Sequence, residues 1–153
     1  MRLVLPALAL VASLCGAVDA HAAAWQLEPG DGSGALLFGT PAVDRDAFRL
    51  DCSGGMLSLS TWTPAPPRGV TDGEFPTRLS VFFGRTELAF AATGRVTGPG
   101  RTSRIDARIA DPKAFLASLD EVRRLTTVTH AGRRMAPAPA SAQIADFGKA
   151  CGF

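Results

Sequence analysis

Apolar residues recur at every second position along most of this chain, and that period commits it to strands over much of its length. Phe48, Leu50 and Cys52 alternate with Arg49 and Asp51, and Leu57 and Leu59 continue the pattern after a Ser53-Gly54-Gly55 turn. Leu79, Val81 and Phe83 alternate with Ser80 and Phe82. After Gly84-Arg85, Leu88, Phe90 and Ala92 alternate with Glu87, Ala89 and Ala91. Each pair reads as a β-hairpin, and the second is the most apolar part of the chain. Ile105, Ala107 and Ile109 then face inward against Arg104, Asp106 and Arg108. Two short strands, Trp25 to Glu28 and Ala35 to Gly39, flank a turn cluster at 29–34 whose glycines tolerate positive φ. Residues 64–77 carry Pro64, Pro66, Pro67 and Pro76 and are expected as a loop, because proline cannot donate to a central ladder.

The period changes at Asp111-Pro112. Aspartate is a good N-cap and proline is favoured at the first helical position. Phe115, Leu116, Leu119 and Val122 form one helical stripe, and Arg123-Arg124 follow where the helix dipole favours cations. Leu125 to His130 and Arg133 to Ala136 form a last hairpin around Ala131-Gly132, ended by Pro137 and Pro139. Ser141 is placed to cap a final helix. Ile144, Phe147 and Cys151 share its buried face, and Gly152 stops it. There are no internal repeats and no βαβ alternation. The expected fold is α+β: mainly antiparallel, about seven or eight short strands in a sandwich or barrel-like form, with one late helix and one C-terminal helix.

Residues 1–22 read as a Sec signal peptide, with an alternative end at 24. Arg2 supplies the positive region, Leu3 to Leu14 the apolar run, and Ala20, Ala22 and Ala24 the small residues before cleavage. Leu14 is too large for the position before a lipidated cysteine, and a single arginine argues against twin-arginine export. The mature chain, 23–153, is then one domain in the periplasm or outside the cell, with no other stretch able to span a bilayer. The arginine- and alanine-rich composition suggests a bacterium with a GC-rich genome. Processing removes Cys15 and His21. Cys52 and Cys151 remain, and an oxidising compartment makes a disulfide between them the default. It closes a loop of about 100 residues, worth up to about 4.7 kcal/mol in the chain-entropy account.

Little in the mature chain offers catalysis. His130 is the one remaining histidine, no G-x-S-x-G elbow exists, and a lone histidine near a hairpin tip reads as a surface polar residue. The carboxylate pairs Asp44/Asp46 and Asp120/Glu121 read as a loop before a strand and a solvated helix face. A structural zinc needs about four Cys or His ligands, which this chain lacks. Gly30, Gly32 and Gly34 lack the spacing of a dinucleotide fingerprint. No catalytic residue, metal or cofactor is therefore expected. The net charge of +2 gives no reason to expect nucleic acid. It conceals an asymmetry: residues 25–67 carry −3, and residues 68–134 carry twelve basic against seven acidic residues. Arg123, Arg124, Arg133 and Arg134 flank the last hairpin and are the candidates for anion binding, since guanidinium groups grip carboxylates and phosphates bidentately. The partner they suggest is an anionic envelope polymer or a protein; the plainer reading is solubilising charge.

The leader, the start near Trp25, the strand Phe48-Arg-Leu-Asp-Cys52 and a tail of helix, hairpin and helix resemble small bacterial periplasmic proteins. The tail runs from Asp111-Pro-Lys-Ala-Phe-Leu-Ala-Ser-Leu119 to Ser141-Ala-Gln-Ile-Ala-Asp-Phe-Gly-Lys-Ala-Cys151. The layout is similar to that of invasion-associated locus B proteins and of type VI secretion accessory proteins of the periplasm. The resemblance implies a non-enzymatic envelope protein and assigns no functional residue. The expectation is a binding or structural module. Two alternatives stand beside it: an inhibitor of an exported enzyme that offers the Pro64–Pro76 loop, and a small hydrolase using carboxylates or His130.

Overall fold

A computed structural model describes residues 24–39, 47–97 and 102–153. The signal peptide, apart from its alternative last residue, lies outside the described residues, as do Asp44 and Asp46. The described chain forms nine strands: β1 (Trp25–Pro29), β2 (Ser33–Phe38), β3 (Phe48–Ser53), β4 (Met56–Thr63), β5 (Glu74–Phe83), β6 (Thr86–Thr97), β7 (Thr102–Ile109), β8 (Arg124–Thr129) and β9 (Gly132–Pro137). Helix α1 (Pro112–Asp120) lies between β7 and β8, and α2 (Ser141–Cys151) follows β9. The strands make one antiparallel sheet in the order β1-β2-β3-β4-β7-β6-β5-β8-β9, curled into a half-barrel. This is the α+β class, with a barrel-like form rather than two packed sheets.

The alternation read in the sequence sets the inner face. Phe48, Leu50, Leu57, Leu59, Leu79, Val81, Ile105 and Leu125 are fully or almost fully buried. Helix α2 lies along β1 and β2 and turns Ile144, Phe147 and Cys151 into the core. Helix α1 adds Phe115, whose ring meets Phe83 edge-on at 5.3 Å and Phe90 at 6.3 Å. The two outer edges of the sheet are tied together. The Trp25 indole Nε1 donates to the Pro137 carbonyl at 2.7 Å, and Gln143 Nε2 donates to the Trp25 carbonyl at 2.8 Å. Trp25 thereby links β1 to β9 through its indole and to α2 through its main-chain carbonyl.

Three local expectations are corrected. Strand β5 begins at Glu74, so the proline-rich loop covers 64–73 and Pro76 lies within a strand. Pro76 is tolerated because β8 pairs with β5 only at Ser80–Phe82, which leaves β5 with one neighbour at Pro76. Helix α1 ends at Asp120, and Arg124 already belongs to β8, so the arginine pair does not occupy the last helical turn. Asp111 does cap α1, accepting from the Ala114 amide at 3.0 Å. At α2 the N-cap is Ala140, not Ser141; the capping bond comes from Gln143 Oε1, which accepts from the Ala140 amide at 3.0 Å. Gly152 ends α2 in the left-handed region at φ 74°, as expected.

One contact inside the half-barrel has a measurable consequence. Phe75 and Gly94 stand opposite each other on β5 and β6, and the buried Phe75 ring covers the glycine. A Cβ at position 94 would overlap that ring. Phe75 is also held edge-on by His130, with centroids 5.7 Å apart, so the ring has little freedom to retreat. Gly94→Ala is expected to cost about 1–3 kcal/mol, the usual range for overpacking. Urea denaturation of both proteins measures it.

Candidate functional site

Cys52 ends the inward-facing row of β3, and Cys151 is the last residue of α2. They stand at disulfide distance with their Cα atoms 5.8 Å apart, and each is 4% exposed. Their meeting follows from how α2 seats. Gly34 on β2 pairs with Cys52 on β3, and the space over Gly34 is bounded by Phe147 and Ala150 of α2. A Cβ at Gly34 would touch Phe147 and Ala150 at 3.7 Å, so only a side chain larger than alanine would press on the helix there.

The four arginines proposed for anion binding do not converge. Arg124 pairs with Pro137 at the open end of the β8–β9 hairpin, whereas Arg133 pairs with Val128 and Arg134 with Thr127 near its turn. Four residues along a strand separate Arg124 from Val128, or about 13 Å. Successive residues also point to opposite faces. Arg133 lies on the outer face with Val128, while Arg134 lies on the inner face with the buried Thr127. No single carboxylate or phosphate group spans that arrangement. Elsewhere on the outer face, arginines alternate with acids: Arg49 bonds Asp51 at 2.7 Å, Arg104 bonds Asp106 at 2.7 Å, Arg78 lies 3.6 Å from Glu87, and Arg95 meets Glu74. Arg104 also stacks over Trp62, 5.5 Å from the ring centre. Such exposed pairs contribute little to stability, about 0–1 kcal/mol each.

His130 is exposed, and its Nε2 lies 2.9 Å from the Ala65 carbonyl. Among the described residues its ring meets only that carbonyl and Phe75. Thr63 donates to the same carbonyl at 3.1 Å, and Val70 packs against the core. The proline-rich loop is therefore tied back over the barrel end at several points. Asp120 and Glu121 are exposed at the end of α1. Among the described residues, no group of three or more His, Cys, Asp or Glu could hold a metal ion. No helix among them is long and apolar enough to cross a membrane.

A shallow groove of about 550 Å³ lies between α1 and α2. Leu116, Ile144, Gly148 and Phe153 line it, and Lys113 and Lys149 stand at its rim. These are the only two lysines in a chain with fourteen arginines. The inner face also carries buried hydroxyls, among them Thr61, Thr63, Ser103, Thr127 and Thr129. Sequence reasoning missed both features. The groove arises from the docking of two helices that are far apart in the chain. The threonines and serine sit at inward positions beyond the apolar run of their strands, and parity alone would have placed them inside.

Compared with known protein families, curated proteins and solved structures, the chain matches none.

Proposed function

We propose that this protein is an exported, non-enzymatic module of the bacterial envelope that works by binding or by holding a structure together, in the periplasm or outside the cell. The observation that carries this reading is the Cys52–Cys151 pair. It joins the third strand to the last helix across 99 residues, and such bonds form and persist mainly in oxidising compartments. The apolar run Leu3 to Leu14 behind Arg2 supplies the route to that compartment. The non-enzymatic part rests on His130, which is held by a main-chain carbonyl and an aromatic ring rather than by a serine or a carboxylate. The partner is an anionic envelope polymer or an acidic protein surface, met by the arginine-rich second half of the chain rather than by one clustered arginine site. Cell fractionation is the test. The protein is expected in the periplasm or the medium, without its leader; a full-length chain confined to the cytoplasm would sink the reading.

A further inference from the structure

Strand β6 is the longest in the sheet, and half of it has a neighbour on one side only. It pairs with β5 from Thr86 to Arg95, but with β7 only from Ala92 to Thr97. Among the described residues, Thr86–Ala91 therefore presents one open edge. The other open edges carry the devices that keep strands from adding to one another. Strand β1 contains Pro29 and is tied to β9 through Trp25. Strand β9 carries Arg133, Arg134 and Pro137, and the open part of β5 carries Pro76 and Arg78. The Thr86–Ala91 edge has no proline, lysine or arginine, and its one charge, Glu87, is already paired to Arg78 on β5. Leu88 is 36% exposed on the inner side, although its neighbours on that face are core residues.

We infer that this edge is the docking site for a second copy of the same chain, β6 against β6 in antiparallel register about a two-fold axis at Ala89. A two-fold normal to the sheet keeps each face with its own kind, so residues of equal parity meet. Centred on Ala89, the register sets Leu88 against Phe90 of the second copy, and the reverse, on the inner face. It sets Glu87 against Ala91 of the second copy on the outer face. The axis itself passes between two exposed alanine side chains, and no like charges stand opposite one another. The run is thus complementary to itself in shape and in charge. A five-residue ladder with one apolar pair on each side of the axis is small, below the roughly 1,200 Å² of a stable specific interface, so the association is weak and concentration-dependent.

Sedimentation of the full chain over a concentration series tests this, alongside Ala89→Glu and Ala89→Lys. Ala89 is exposed, so neither change disturbs the core. The wild-type chain should form a dimer as concentration rises. Each variant alone should associate at least about five-fold more weakly, because like charges then face each other across the axis. An equimolar mixture of the two variants should recover the dimer through a Glu–Lys pair. A wild-type chain that stays monomeric throughout would overturn the inference. So would a dimer indifferent to Ala89→Glu, or variants that fail to rescue one another.

Discussion

Replacing Cys151 with serine lowers the unfolding free energy by about 2–5 kcal/mol, one of the two largest single losses expected for this protein. Two effects combine. The covalent tie between Cys52 and Cys151 spans 99 residues, so its loss frees most of the described chain in the unfolded state. The same change removes the anchor of α2, which otherwise holds the core through the buried side chains of Ile144 and Phe147. Urea denaturation of the wild type with and without reductant should show the same loss as Cys151→Ser, and reductant should leave the variant unchanged. A variant within about 0.5 kcal/mol of the oxidised wild type would show that the tie contributes nothing beyond an ordinary surface substitution.

The second large effect is at Phe147. This ring is fully buried on α2, and it bounds the space over Gly34 on β2, where β1 and β2 carry the helix. Phe147→Ala is expected to cost about 3–5 kcal/mol through lost burial and the cavity left behind. It should not add fully to Cys151→Ser. The two residues lie one turn apart on the same helix face, and each loss loosens the docking that the other depends on. The double variant should therefore be more stable than the sum of the two single losses implies. Full additivity in urea denaturation would mean that α2 stays seated without either anchor.

The strands were legible because one face of the sheet is buried, and alternation is the direct imprint of that burial. The hairpins β3–β4, β5–β6 and β8–β9 followed from local turns at Ser53-Gly54-Gly55, Gly84-Arg85 and Ala131-Gly132. The sheet order did not, because β4 with β7 and β5 with β8 are pairings between segments far apart in the chain. Nothing in local pattern selects them. Strand β6 shows a different limit. Leu88, Phe90 and Ala92 read as core by their alternation, yet Leu88 remains exposed and Phe90 and Ala92 are half-buried. Burial there depends on what covers the inner face, and among the described residues the aromatic cover for this stretch is the single ring of Phe115. The arginines taught the reverse lesson. Arg133 and Arg134 are adjacent in sequence and so face opposite sides of a strand, a separation that strand parity already contained.

The measurement that tests the account most directly is the intact mass of the protein recovered from the periplasm or the medium, alkylated without reductant. The account predicts a chain beginning near residue 23 or 25, lighter by two hydrogens than its reduced form, with no alkyl group on Cys52 or Cys151. A chain that keeps residues 1–22 and takes up alkyl groups at Cys52 and Cys151 would contradict both the export and the covalent tie on which the proposed function rests.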